Sequence, residues 1–201
     1  IHFEQEENYQ RCCAIFRQHP DLHLFVRDEA SLGLARGMTD NVYLMPDMAH
    51  QLYPLTKTAA VTEGTLALMR IDKEAQAGRQ LMQADKMTDW NILFNNSSRA
   101  LVFTMRVMRL GAMAGLNRLP GSTGTNIGIQ MANTLVRRAI KLFSQYQYVK
   151  TDRLHGHILS CLLDIPHQVM DNSYGKNSRY MALWTGQSDI VDTKFVGSDS
   201  D

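Results

Sequence analysis

Apolar positions along the chain follow two rhythms, a helical spacing and short continuous runs, and their alternation predicts an α/β fold. From Glu6 to Gln18, Tyr9, Cys12, Cys13 and Phe16 recur at helical spacing, and the segment stops before His19-Pro20. Leu22 to Val26 is a short strand-like run, and Ser31 to Arg36 reads as a brief helix with Gly37 as its stop signal. Asn41 to Met45 is a second strand, ended by Pro46-Asp47. Thr56 to Gly64 reads as a connection, Leu66 to Ile71 as a strand, and Ala75 to Asp89 as a polar stretch with no clear assignment. Helical spacing returns at Ser98 to Leu116, through Leu101, Met105, Met108 and Ala112, and at Met131 to Phe143, through Leu135, Ala139 and Leu142. Between them Leu119 to Gly128 is rich in Gly, Ser, Thr and Asn, and is expected to be a loop. A strand at Tyr146 to Val149, a helix at Leu154 to Leu163, a strand at Gln168 to Met170 and a helix at Tyr174 to Leu183 complete the series. Helices and strands alternating through short links imply a parallel sheet covered by helices. The weak stretch around Thr56 to Thr65 is the expected boundary, separating residues 1–60 from 61–196, with 197–201 as a frayed tail.

Composition narrows the class. The chain has 201 residues, 44% hydrophobic and 20% charged, enough to bury a core. Its formal net charge of +1 argues against a nucleic-acid partner, which would call for a marked basic excess. It leaves room for an anionic small molecule held by a few placed cations. The three cysteines, Cys12, Cys13 and Cys161, form no disulfide or zinc-ribbon spacing, and a reducing cytoplasm suits them. No apolar run approaches the roughly 20 residues that cross a bilayer. Ile1 to Glu7 lacks the basic and apolar regions of a secretory signal, and the missing initiator Met fits a start inside a longer protein.

The densest chemistry lies at Thr151-Asp152-Arg153-Leu154-His155-Gly156-His157, a strand end running into a helix. Ligands of parallel sheets bind beyond the carboxyl ends of strands, where helix N-termini point. Thr151 and Asp152 are good N-caps, which places Arg153, Leu154 and His155 in the first turn. Free backbone N–H groups and the positive helix end favour phosphate or carboxylate, Arg153 adds a planar fork, and His155 can move a proton near neutral pH. The same residues also suit a plain capped helix start. His155 and His157, two apart on a helix, point to different faces and are not expected to chelate a metal; His157 reads as a packing residue. A second candidate is Asp171-Asn172-Ser173-Tyr174-Gly175-Lys176, where Asn172, Ser173, Tyr174 and Lys176 can bind sugar hydroxyls or phosphate, or simply form a turn and helix cap. Arg27-Asp28 and Pro46-Asp47-Met48-Ala49-His50 also follow strand ends and can face a cleft. The run Gly121 to Gly128 lacks the Gly-Lys-Ser/Thr ending of a phosphate loop.

These blocks carry a resemblance. Residues 151–159, Ile165-Pro166 and 171–176 resemble the C-terminal signature of bacterial polysaccharide pyruvyl transferases, and Phe25 to Glu29 with Ser31, and Val42 to His50, resemble that family's pattern in matching order. The resemblance implies a GT-B-type pair of Rossmann-like domains, the N-terminal one incomplete in this chain. It implies transfer of pyruvate from phosphoenolpyruvate onto two hydroxyls of one sugar, in an exopolysaccharide or its lipid-linked precursor, giving a cyclic ketal. It further implies that Arg27 and Arg153 hold phosphoenolpyruvate with the Leu154 backbone, that His155 is the catalytic or phosphate-contacting histidine with Arg153 as its catalytic companion, and that Asp47 and His50 belong to the substrate site. No metal or other cofactor is expected, and the implied location is cytoplasmic, at the inner membrane face and without a spanning segment. A sugar-nucleotide GT-B glycosyltransferase and a non-catalytic glycan-assembly subunit are the alternatives.

Overall fold

A computed structural model describes residues 3, 5–70, 83–92, 103, 106, 121–171 and 175–192. Two parallel sheets appear among them. The first pairs β1 (His23–Val26) with β2 (Asn41–Leu44), joined by α2 (Glu29–Ala35) and preceded by α1 (Glu6–Phe16). A 3-10 turn, Met48–Leu52, follows β2. The second sheet has five parallel strands in the order β4-β3-β5-β6-β7, formed by β3 (Glu63–Leu68), β4 (Lys86–Thr88), β5 (Tyr146–Thr151), β6 (His167–Val169) and β7 (Val191–Asp192). Three helices serve this sheet: α3 (Gly121–Ser144), α4 (Leu154–Leu162) and α5 (Lys176–Trp184). The α/β expectation with parallel strands therefore holds.

The core lies where α3 crosses the middle of the large sheet. Leu66, Leu68 and Val149 from the strands meet Ile140, Leu142 and Phe143 from α3, with Tyr146, Leu163 and Ile165 closing the ends. Leu66, Leu68, Phe143 and Val149 are fully buried, each contributing about 1.5–3 kcal/mol through removal from water. That packing fixes β5 at the centre of the sheet, and its carboxyl end carries Thr151 to Arg153.

Several expectations need correction. Gly121 to Gly128 is helix, not loop, continuous with the predicted segment from Met131. Propensity lost to the reading frame of the neighbouring helix: once a helix is nucleated, each added residue gains a backbone hydrogen bond, and the unfavourable contribution of a Gly is only about 1 kcal/mol. The polar stretch before Asp89 hides β4, and β7 was not foreseen; both are too short, at three and two residues, for a periodicity to register. The helix expected at 98–116 lies outside the described residues, save Phe103 and Arg106, which are helical.

Candidate active site

The strand-to-helix junction of β5 and α4 is built differently from the expected cap. Arg153, not Thr151 or Asp152, is the N-cap, with extended backbone at φ −96° and ψ 119°. Thr151 is still inside β5, and its hydroxyl is used across the sheet: Oγ1 donates to the Leu68 carbonyl at 2.8 Å and accepts the Arg153 N–H at 3.0 Å. Asp152 is likewise buried, with Oδ1 accepting the Arg70 N–H at 2.8 Å. The N–H groups of Gly156 and His157 return to the Arg153 carbonyl at 2.8 and 3.0 Å. Those of Leu154 and His155 have no partner among the described residues, leaving an electropositive helix start suited to an anion.

Asp47 gathers the candidates from the first sheet onto this junction. Its Oδ2 accepts from Arg27 Nη1 at 2.5 Å and lies 3.6 Å from His155 Nε2. Its Oδ1 accepts the Ala49 N–H at 3.0 Å, and its own N–H donates to the Tyr180 hydroxyl at 3.0 Å. Burial pushes the Asp47 carboxyl up, but the Ala49 N–H, the Arg27 guanidinium and His155 outweigh it and hold the group below the usual carboxylate range. Trp184 Nε1 donates to the Arg27 carbonyl at 2.9 Å, tying the end of β1 to α5. Arg27, Asp28, Ser31 and Asp47 line a cavity of about 410 Å3 at the carboxyl ends of β1 and β2. His155 remains largely exposed. His50 stacks on Tyr180 with ring centroids 6.2 Å apart, and its Nε2 is buried with no partner among the described residues.

Arg153 turns elsewhere. Its Nε and Nη2 donate to Oδ1 and Oδ2 of Asp89 at 2.9 and 2.5 Å, a bidentate pair whose carboxylate is fully buried. Arg27 and Arg153 thus each pair with an aspartate, Asp47 and Asp89 respectively. Sequence reasoning missed Asp89, since a lone carboxylate at the end of an unassigned polar stretch carries no local signal.

The β6–α5 connection adjoins Arg153 because β5 and β6 are paired neighbours. Asn172, Ser173 and Tyr174 lie outside the described residues, and Lys176 opens α5. Gly175 caps that helix at φ 64°, in the left-handed region where a glycine is unstrained, and Asp171 Oδ1 accepts the Asn177 N–H at 3.1 Å. The Asn177 amide donates to the carbonyls of Asp152 and Met170 at 2.9 and 2.8 Å, clamping the two strand ends together.

Beneath the site His157 packs as expected. His157, Cys161 and His167 bring three potential metal donors within 4.8 Å of one another. The two imidazoles instead hydrogen-bond directly, His157 Nδ1 to His167 Nε2 at 2.7 Å, whereas two nitrogens on one tetrahedral zinc would stand about 3.4 Å apart. His167 Nδ1 donates to the Ile165 carbonyl at 2.8 Å, which makes its Nε2 the acceptor; His157 Nε2 then accepts from the Thr185 hydroxyl at 2.8 Å. Burial favours the neutral form of both rings. Burial, with His167 and His50 adding, pushes His157 down to about 3, and burial with Asp164 pushes the Cys161 thiol up to about 12.

Comparison with known proteins places the arrangement. The family model described as "Polysaccharide pyruvyl transferase" matches residues 1–174. The chain is 36% identical over 186 residues to "Putative pyruvyl transferase EpsO" of Bacillus subtilis (strain 168), covering 92% of this chain and 57% of that protein. It is 26% identical over 208 residues to "Pyruvyl transferase 1" of Schizosaccharomyces pombe (strain 972 / ATCC 24843), covering 96% of this chain and 48% of that one. The chain thus spans about half the length of the curated relatives it matches. A crystal structure of the functionally uncharacterised protein KP1_0663 from Klebsiella pneumoniae shares the fold at a TM-score of 0.51 and 18% identity, over 92% of this chain and 58% of that one. With the family model spanning residues 1–174, this chain belongs to the polysaccharide pyruvyl transferase family.

Proposed function

We propose that the protein is a transferase that moves pyruvate from phosphoenolpyruvate onto two hydroxyls of a sugar, in an exopolysaccharide or its lipid-linked precursor, as a cyclic ketal. The observation that carries this reading is the convergence of Arg27, Asp47 and His155 on the open helix start beside Arg153. A doubly anionic donor needs cationic and N–H partners at two ends, and Arg27, Arg153 and the N–H of Leu154 and His155 supply them. Addition requires a proton on the methylene carbon while a sugar oxygen bonds to the enol carbon and gives up its own proton. The second hydroxyl then displaces phosphate from that carbon, and its proton leaves with the phosphate. His155, exposed and 3.6 Å from Asp47, is the group assigned to the proton transfer. Lys176 and the segment 172–174, with Asp47 and His50, are assigned to the acceptor side.

The same reading includes a GT-B-like pair of Rossmann-like domains divided near residue 60, phosphoenolpyruvate with no further cofactor, and a bacterial enzyme working at the cytoplasmic membrane face. No described helix is long and apolar enough to cross a membrane, which fits peripheral association. The test is incubation of the complete protein with phosphoenolpyruvate and candidate glycans, following phosphate release and sugar mass. Arg153→Ala and His155→Ala should each abolish most of the release; unchanged rates would sink the assignment. Binding of a nucleotide diphosphate but not phosphoenolpyruvate would point to a glycosyltransferase instead, and glycan binding without turnover to an assembly subunit.

A further inference from the structure

We infer that Asp89 is a positioning residue for Arg153, holding its guanidinium in one fixed plane at the α4 start. The inference rests on the reading that Arg153 contacts the donor. Asp89 stands at the carboxyl end of β4, and its oxygens take Arg153 Nε and Nη2 at 2.9 and 2.5 Å, so two parallel bonds fix both the position and the plane of the fork. A single contact, such as Arg27 makes with Asp47, fixes neither.

Asp89 is itself immobilised. The Trp90 N–H donates to its Oδ1 at 2.7 Å, the Ile92 N–H to its carbonyl at 3.0 Å, and the Trp90 ring stacks on core Phe143 at 5.9 Å. The carboxylate is thus anchored to the same core that sets β5. Fully burying it is a poor route to stability, because apolar residues of similar volume commonly do as well or better than a buried ion pair. What the pair does supply is orientation.

The test uses the full-length protein, with phosphoenolpyruvate affinity read by calorimetry for wild type, Asp89→Asn, Arg153→Ala and the double variant. Asp89→Asn should weaken binding about 10- to 100-fold, the range typical of groups that orient a direct ligand contact. The double variant should bind no more weakly than Arg153→Ala alone; additive losses, or an unchanged Asp89→Asn, overturn the inference. A second readout needs no donor: the Arg153 Nε–H should give an exchange-protected NMR signal that Asp89→Asn abolishes and Asp89→Glu, which keeps the charge, partly restores. A signal equally protected in Asp89→Asn overturns the inference as well. Wild-type protein that shows the protected signal yet binds no phosphoenolpyruvate would overturn the donor reading while leaving the Asp89–Arg153 coupling standing.

Discussion

His155 Nε2 lies 3.6 Å from Oδ2 of Asp47, so the helix start of the large sheet and the end of β2 in the small one share a carboxylate. The same oxygen accepts from Arg27 Nη1. Asp47→Asn preserves the shape but removes the negative charge that pairs with Arg27 and faces His155. Phosphate release is expected to fall about 10- to 100-fold, measured by continuous phosphate assay with saturating acceptor. A rate within twofold of wild type would mean that the Asp47 contact is incidental.

Stability should decline as the solution is acidified below neutrality. His157, His167 and His50 all have pKa values lowered in the fold, His157 to about 3, with burial the largest cause in each. Lowered histidines are neutral when folded and take up protons when unfolded, so their contribution is complete above about 6.5 and is lost as pH falls from there through their lowered folded values, about 3 for His157. Asp47, also lowered, adds a separate loss below its ordinary carboxylate range. Thermal midpoints recorded from pH 7.5 to 5 should fall, and His157→Gln should flatten that slope. A flat wild-type profile would contradict the neutral imidazole pair.

Gly156→Ala should destabilise. A β-carbon there would lie 2.5 Å from Thr151 Oγ1 and 2.7 Å from Leu68 Cδ2, both buried groups of the central strands. The gain in helix propensity of up to about 1 kcal/mol is smaller than the overpacking penalty, about 1–3 kcal/mol. Urea unfolding should show a lower midpoint with an unchanged slope.

Asn177→Ala should cost about 2 kcal/mol, since the clamp's amide serves two carbonyls, those of Asp152 and Met170, and the side chain is buried. Hydrogen exchange should quicken at Arg153 and Asp171, the residues just past the clamped carbonyls. Exchange that rises uniformly over the domain would indicate general destabilisation instead.

Much of this was legible in the chain itself. The predicted strand starting at Asn41 matches β2 at its first residue, and the predicted helix starting at Leu154 matches α4. Those segments combine a clear period with a Pro or Gly stop nearby, so local chemistry suffices. Arg27, Asp47, Arg153 and His155 were picked because each follows a strand end, and the structure brings Arg27, Asp47 and His155 together. The misses have physical causes. Gly121 to Gly128 is helical because continuity with α3 outweighs weak propensities, and β4 and β7 are too short to show a period.

The sequence by itself determined the alternation of helix and strand, the parallel class and the anion-favouring junction at residues 151–157, because all of these depend on neighbours along the chain. Only the tertiary structure decided which partner each charged group has. Arg153 meets Asp89 and His155 meets Asp47 because the strand order β4-β3-β5 and the packing of the 3-10 turn against α4 set those distances. Local periodicity carries no information about strand order, so neither aspartate's partner could be read before the chain was folded.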